Sequence, residues 1–266
     1  MGGILHMSDI HFGCENKAAV AAAAEIAQAG EFQLIVISGD ITQFGHVDEF
    51  EAAAAWVSAL PRPVMITPGN HDTPYAGLID RAIAPFARFE RYFGQARTTA
   101  FDGQGLAVRA FNSSRGMQMR LNWSKGAVNP ERVAAAVRDL RSVDPAALRV
   151  AVCHHPLMEV VGGPVTGRVR GGRKAAEILA QAGVDVVLSG HVHTAFAVTL
   201  PCGDGHTHAG GASTLSLRER GMPPGFNIVT WDEAVVTIKA QAWNGSAYEL
   251  LRTWALPRRP RSEAAA

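Results

Sequence analysis

The stretch that decides the fold is residues 33–40, which read QLIVISGD. Its four apolar residues follow one another without alternation, a pattern typical of a strand that is covered on both faces, as in a parallel sheet. Gly39 has no side chain and lets the backbone turn sharply, so that Asp40 presents its carboxylate at the strand end. An apolar run followed directly by a metal-ligating residue type is therefore the unit to look for elsewhere in the chain.

Four more segments repeat this unit on either side of residues 33–40. Each follows an apolar run and supplies oxygen or imidazole groups that hold transition metals: Asp9-Ile10-His11, Gly69-Asn70-His71-Asp72, His154-His155-Pro156 and Gly190-His191-Val192-His193. One such segment would carry little weight. Five, each at a predicted strand end, indicate a two-metal hydrolytic site.

The segments between these motifs predict the order β-α-β-α-β at the start of the chain. We expect strands at 3–7, 33–38 and 63–67, with helices at 17–28 and 47–60. A helix between two neighbouring strands makes them parallel, and such crossovers are expected to be right-handed. Open α/β sheets carry their sites at the carboxyl ends of these strands. Beyond residue 195 the pattern changes to antiparallel strands with a hairpin turn at Asn244-Gly245.

The predicted fold class is α/β, with two sheets packed face to face and helices on the outside. We expect one domain over residues 1–256. Residues 257–266 are rich in proline and arginine and are expected to form a disordered basic tail.

Composition narrows the setting of the protein. The 266 residues carry 25 lysines and arginines against 24 acids, and this net charge of +1 does not favour nucleic acid or an acidic membrane as partner. Three widely spaced cysteines predict a reduced, intracellular setting rather than a disulfide framework. No apolar run approaches the roughly 20 residues that span a bilayer. We expect a soluble, cytoplasmic protein without a secretory signal; a homodimer is compatible with the sequence, which shows no interface.

The five motifs, in this order, resemble those of the calcineurin-like metallophosphoesterases, a family that includes purple acid phosphatases and bacterial cyclic-nucleotide phosphodiesterases. The resemblance covers residues 4–193 and implies a four-layer α/β/β/α fold in which the later strands belong to the second sheet. It also implies a dinuclear centre of Mn, Fe or Zn. Carried over by motif, one metal would have Asp9, His11 and His193 as ligands, the other Asn70, His154 and His191, and Asp40 would bridge them.

The resemblance also implies catalytic roles beside the metal ligands. His71, next to Asn70, would protonate the leaving oxygen or steady its charge, and Asp72 would orient His71. The alternative for His71 is a structural histidine beside a metal site. His155 is expected to lie behind the ligands or to face the substrate.

Further substrate contacts are expected from two loops. Asn112 ends a predicted strand and is a candidate for the wall of the cleft. Arg168 and Arg170 lie in the glycine-rich residues 160–172, which form either a lid that offers guanidinium donors to a phosphate or an ordinary flexible crossover.

The sequence favours a phosphoesterase that acts on small phosphodiesters. The Gly-Asn-His-Asp and His-His-Pro motifs and the compact length resemble the bacterial subgroup of cyclic-nucleotide and glycerophosphodiester phosphodiesterases, so 3′,5′-cyclic nucleotides come first as substrates. The alternatives are a phosphomonoesterase or a nucleotide pyrophosphatase. A nuclease is disfavoured because no extended basic groove is visible. A non-catalytic scaffold of the same fold is disfavoured because every ligand is present.

Overall fold

Two six-stranded sheets form the centre of the computed structural model, which describes residues 2–61, 63–118, 122–159, 162–164 and 167–260. The first sheet runs from edge to edge in the order β12 (Tyr248–Pro257), β11 (Val235–Trp243), β10 (Gly225–Trp231), β1 (Gly3–Met7), β2 (Phe32–Ser38) and β3 (Val64–Thr67). The second has the order β4 (Thr98–Gly103), β5 (Leu106–Phe111), β6 (Leu148–Val152), β7 (Val186–Ser189), β9 (His208–Gly211) and β8 (Phe196–Thr199).

Both sheets contain a block of adjacent parallel strands, as the unbroken apolar runs predict. In the first sheet β1, β2 and β3 are parallel. In the second, β5, β6, β7 and β9 are parallel, with β4 and β8 antiparallel at the edges. Each sheet can therefore deliver loops from several strands to one edge.

Helices cover the outer faces. They are α1 (Lys17–Ala29), α2 (Val47–Ser58), α3 (Leu78–Ile83), α4 (Ala87–Phe93), α5 (Pro130–Ala136) and α6 (Gly172–Gln181), with a 3₁₀ helix at Arg138–Ser142. Apolar residues of α1, α2 and α4 pack on the first sheet, and those of α5 and α6 pack on the second. A third apolar cluster lies between the sheets. The α/β/β/α order is confirmed.

The expected position of the last strands is wrong in part. Only β8 and β9 join the second sheet, whereas β10, β11 and β12 extend the first sheet on the free side of β1. Ile4 pairs with Val229 and His6 with Asn227 in antiparallel register. This pairing gives the fully buried β1 a hydrogen-bonding neighbour on both edges, as its backbone groups require.

The predicted tail begins too early. Arg258 is only 6% exposed. Its Nη1 donates to the carbonyl oxygen of Asp232 at 2.7 Å and its Nη2 to that of Ala147 at 3.0 Å. Arg259 forms an ion pair with Asp204. The arginine-rich composition predicts a solvated terminus, but these guanidinium groups donate hydrogen bonds to backbone carbonyl oxygens and pair with a carboxylate. Residues 261–266 lie outside the described part.

In the described part of the chain, no helix combines the length and the apolar character needed to cross a membrane.

His6 lies in the middle of β1 and is fully buried. Its Nε2 is 2.9 Å from Oγ of Ser38 on β2. Burial lowers its pKa from 6.5 to about 3, against the weaker opposite effect of the Asp9 charge. His6 is therefore a neutral, hydrogen-bonded residue of the sheet rather than a metal ligand.

We expect His6 to make the protein sensitive to acid. Between its pKa values of 6.5 unfolded and about 3 folded, the unfolded chain binds a proton that the folded chain does not, so stability falls as the pH is lowered. From pH 6.5 to 4.5 this group costs about 2 kcal/mol. Urea unfolding at both pH values should show a smaller loss for His6→Gln than for the wild type. Equal losses would contradict the assignment, because all other titrating groups are common to the two proteins.

Candidate metal centre

The predicted ligands lie at the carboxyl ends of five parallel strands, two of which belong to the second sheet. The strands β1, β2, β3, β6 and β7 are followed, respectively, by Asp9 with His11, Asp40, Asn70, His154, and His191 with His193. Packing the sheets face to face brings these ends together. Residues separated by more than 180 positions in the chain thus become neighbours.

Backbone strain is concentrated at the same positions. Within the described residues, five residues other than glycine have a positive φ, between +51° and +70°, and all are predicted ligands: Asp9, His11, Asp40, His191 and His193. A left-handed conformation costs such residues about 1–2 kcal/mol each. Strain of this kind persists where the surrounding structure imposes it, typically at functional sites.

One cluster contains Asp9, His11 and His193. Nε2 of His193 is 3.1 Å from Oδ1 of Asp9 and 3.3 Å from Nε2 of His11. The other ring nitrogens face carbonyl oxygens, Nδ1 of His11 that of Thr42 at 3.3 Å and Nδ1 of His193 that of Arg218 at 2.6 Å. A carbonyl only accepts, so both Nδ1 atoms carry the proton, and both Nε2 lone pairs point into the cluster.

A second cluster contains Asp40, His154 and His191. Nε2 of His154 is 3.2 Å from Oδ2 of Asp40, and its Nδ1 donates to the carbonyl oxygen of Ser38 at 2.8 Å. The rings of His154 and His191 have centroids 5.2 Å apart. The same Oδ2 of Asp40 is 3.9 Å from Nε2 of His11 in the first cluster. The Asp40 carboxylate therefore lies between the clusters, where a bridging ligand is needed.

The ligand atoms fit two cations. Oδ1 of Asp9, Oδ1 of Asn70 and Nε2 of His154 are buried and make no well-directed hydrogen bond among the described residues. Two of them nevertheless lie close to another ligand atom: Nε2 of His154 is 3.2 Å from Asp40, and Oδ1 of Asp9 is 3.1 Å from His193. An unsatisfied buried polar atom costs about 1–3 kcal/mol. Four sets of three His or Asp ligand atoms lie within 4.8 Å of one another, and together they include all the predicted ligands except Asn70. Carboxylate, amide and imidazole donors in this number suit Mn, Fe or Zn.

Burial and mutual charge set the protonation of the ligands. Burial lowers the pKa of His11 to about 3 and that of His191 to about 4, which leaves both imidazoles neutral and ready to bind a metal. Burial also acts against the charged form of His154, but the Asp40 charge outweighs it and raises the pKa of His154 to about 9. For Asp40, burial raises the pKa, yet His154 and other histidines hold it well below its usual value.

His71 lies beside the clusters, and its ring is held on both sides. Its backbone N–H donates to Oδ1 of Asp40 at 2.8 Å. Nδ1 donates to the carbonyl oxygen of Gln43 at 2.6 Å, and Nε2 accepts from Nη1 of Arg218 at 3.0 Å. The proton therefore sits on Nδ1, since a carbonyl only accepts and a guanidinium only donates.

The predicted role of Asp72 in orienting His71 is wrong. Its carboxylate accepts four hydrogen bonds at 2.8–3.3 Å, from the N–H groups of Ile41, Thr42 and Gly69 and from Oγ1 of Thr42. Burial, and then the charge of Asp40, raises its pKa to about 6. Asp72 ties the loop after β2 to the loop after β3, and the Gln43 carbonyl orients His71 instead.

His155 lies behind the ligands and uses both ring nitrogens. Nε2 donates to the carbonyl oxygen of Ser124 at 2.8 Å. Ser113 Oγ accepts the His155 backbone N–H at 3.0 Å and donates to Nδ1 at 2.9 Å. Burial, followed by the charges of His191 and His154, holds the pKa of His155 well below its usual value. The ring therefore joins loops of the second sheet and leaves metal binding to its neighbour.

The other predicted substrate contacts line two cavities of the described structure. Asn112 accepts the N–H of Ser114 at 2.6 Å and lines a cavity of about 670 Å³ beside α4 and α5. Arg168 and Arg170 line a second cavity of about 440 Å³ with Lys125 and Gly171. No metal ligand lines either cavity. Residues 160–161 and 165–166 of the predicted lid lie outside the described part, and these contacts stay predictions.

Sequence reasoning missed Gln43, Ser113 and Arg218. Gln43 contacts His71 through its backbone, which no sequence pattern reveals. Arg218 lies beyond β9, in a segment whose only signal is a pair of arginines separated by Glu219. Its place beside His71 depends on how the loops of the two sheets meet.

Residues 3–195 match the family model of the calcineurin-like phosphoesterases. The chain belongs to this family. No curated protein sequence matches it significantly. Among solved structures, a purple acid phosphatase from yellow lupin (Lupinus luteus) seeds is similar with a TM-score of 0.69 and 13% identity, over 97% of this chain and 54% of that one. This chain thus spans about half of the lupin protein.

Two other solved structures are similar over most of both chains. A dimetal phosphatase from Danio rerio has a TM-score of 0.65 and 11% identity, over 97% of this chain and 99% of its own. GAP50, described as the anchor in the inner membrane complex of Plasmodium, has a TM-score of 0.58 and 13% identity, over 98% and 90%. At such identities the likeness shows the fold, and the family implies a dinuclear transition-metal centre and phosphoester hydrolysis.

Replacing Asp72 by asparagine should destabilise the protein. An amide keeps one acceptor oxygen and turns its NH₂ group toward backbone N–H donors. We expect the free energy of unfolding at pH 8 to fall by about 1–3 kcal/mol in urea titrations. As the control, Asp144→Asn alters an exposed carboxylate that accepts one backbone N–H and should change stability by less than about 0.5 kcal/mol. Equal stability of the two variants would show that Asp72 does not tie the loops.

Proposed function

We propose that the protein is a dinuclear metal-dependent phosphodiesterase that hydrolyses small phosphodiesters such as 3′,5′-cyclic nucleotides. The observation that carries the proposal is the pair of ligand clusters with Asp40 between them. When bound, two cations would lower the pKa of water and neutralise the oxygens of a phosphoryl group during in-line displacement. We propose a cytoplasmic setting on the basis of the dispersed, free cysteines.

The residues of the chain would divide this work between them. Asp9, His11 and His193 would hold one cation, Asn70, His154 and His191 the other, and Asp40 both. Carbonyl oxygens of Ser38, Thr42 and Arg218 fix the tautomers and ring planes of three of the histidines. Fixed ligands leave little reorganisation to occur during the reaction.

His71 would act on the leaving oxygen. Its backbone bond to Asp40 places the ring beside the bridging ligand. His71 either protonates this oxygen or stabilises its developing negative charge. In the first role Nε2 would take up a proton from solvent, which breaks its hydrogen bond with Arg218, and would then donate that proton to the leaving oxygen. The Gln43 carbonyl keeps the ring in place throughout.

The preference for diesters rests on the resemblance to the bacterial phosphodiesterase subgroup. The lupin and Danio rerio proteins are both described as phosphatases. Hydrolysis of p-nitrophenyl phosphate in preference to bis(p-nitrophenyl) phosphate would therefore favour the monoesterase alternative. A panel of cyclic nucleotides and glycerophosphodiesters would then define the natural substrate class.

Removing the bridging carboxylate tests the metal centre. We expect the wild type, supplied with Mn or Fe, to bind two metals per chain and to hydrolyse bis(p-nitrophenyl) phosphate. Asp40→Ala should bind fewer metals and lose activity by more than about 1,000-fold, because both clusters lose a shared ligand. Asp48→Ala, which removes an exposed carboxylate at the start of α2, is the control and should retain both properties. A wild type that binds no metal pair or turns over neither ester would refute the proposal.

Removing the His71 ring tests its role separately from metal binding. His71→Ala should lower kcat by about 100-fold or more, the usual contribution of a general acid, while metal content by elemental analysis stays at two per chain. His206→Ala, in the turn between β8 and β9, should leave both quantities unchanged. An active His71→Ala enzyme would make His71 a structural neighbour of the site.

A further inference from the structure

The segment that follows β9 passes directly against the metal-binding loop of β1. The N–H of Leu215 and Oγ1 of Thr214 both donate to the carbonyl oxygen of Asp9, at 3.2 and 2.6 Å. Ser216 Oγ is 2.7 Å from Oγ1 of Thr214 and accepts the N–H of Arg218 at 3.2 Å. The backbone of Arg218 is thereby fixed relative to the ligand Asp9, although the residue itself is half-exposed.

The guanidinium group of Arg218 is anchored by one of its three nitrogens. Nη1 donates to Nε2 of His71 at 3.0 Å and to Oε1 of Gln43 at 3.2 Å, which uses both of its hydrogens. Nε and Nη2 make no hydrogen bond to any described residue. Three N–H donors are left over, and two of them, on Nε and Nη2, lie parallel along one edge of the planar group.

The charge of Arg218 is also unbalanced. Within the described residues no carboxylate forms an ion pair with it, and the adjacent Glu219 is exposed. Arg109, by contrast, is paired with Asp102 and Asp139, and the buried Arg81 spends its donors on the carbonyl oxygens of Gly116 and Pro74. An unpaired cation with a free edge beside a metal cluster has the features of a group that binds an anion.

We propose that Arg218 is a substrate-binding residue whose Nε–Nη2 edge binds two non-bridging oxygens of the phosphoryl group. A guanidinium edge matches two phosphate oxygens in a bidentate arrangement, which lysine cannot reproduce. Gln43 orients the group before substrate arrives, as does His71 while its Nε2 is unprotonated, so little side-chain entropy is lost on binding. This inference rests on the proposed phosphoesterase function and adds a contact that the metal ligands do not supply.

The test compares Arg218→Gln and Arg218→Lys with the wild type, all loaded with metal. For bis(p-nitrophenyl) phosphate we expect kcat/KM of Arg218→Gln to fall by about 10- to 100-fold, with two metals per chain retained. Arg218→Lys should recover less than tenfold of this loss, because it restores the charge but not the edge. Arg138→Gln removes an exposed arginine of the 3₁₀ helix Arg138–Ser142 and should stay within about threefold of the wild type.

Orthophosphate binding makes the result independent of turnover. In calorimetric titrations of the metal-loaded proteins, the Kd of orthophosphate should rise about tenfold or more in Arg218→Gln and stay unchanged in Arg138→Gln. If the wild type binds metals and phosphate but hydrolyses no ester, the proposed function fails while this contact can still be measured. An unchanged Kd, or a loss of metal in both Arg218 variants, would overturn the inference.

The leaving group separates Arg218 from His71. A contact to non-bridging oxygens should cost Arg218→Gln the same factor with bis(p-nitrophenyl) phosphate and with diphenyl phosphate, whose leaving group is poorer. A loss that grows markedly with diphenyl phosphate would place Arg218 at the leaving oxygen and overturn the assigned contact.

Discussion

The carboxylate of Asp40 is the constraint on which the rest of the site depends. Its Oδ2 faces His154 at 3.2 Å and His11 at 3.9 Å, and its Oδ1 accepts the backbone N–H of His71. To stand there, Asp40 adopts a φ of +51°, and Gly69 leaves out the side chain that would collide with it. A buried carboxylate without cations would be costly, so the surrounding histidines, and metals when bound, are part of what allows this backbone to fold.

The loops around Asp40 are held by groups that never reach a metal. Asp72 joins the loops after β2 and β3, and Ser113 with His155 joins those of the second sheet. Both use buried hydrogen bonds to backbone N–H groups, which fix loop geometry more strictly than packing does. These polar residues therefore hold the loops of the site in place and are not assigned a role in metal binding or catalysis.

Membership of the family establishes the fold, whereas the chemistry of the site bears on the reaction. Proteins with this fold include phosphatases and a protein described as an anchor, so fold likeness at 11–13% identity does not decide what this chain does. The argument for hydrolysis comes from the donor atoms themselves: three of them are buried without a well-directed hydrogen bond, five predicted ligands have a strained backbone conformation, and a guanidinium without an ion pair lies beside them.

The sequence by itself determined the strand ends and the residue types at them, because an apolar run and the polar residue that ends it are adjacent in the chain. It also determined the layer order, since parallel, doubly covered strands need helices outside. Only the tertiary structure decided that β10–β12 extend the first sheet, that Arg258 is buried, that Asp72 binds loop backbone and that Arg218 contacts His71. Each of these depends on which groups meet across long separations, and that is set by sheet packing and hydrogen-bond demand rather than by local pattern.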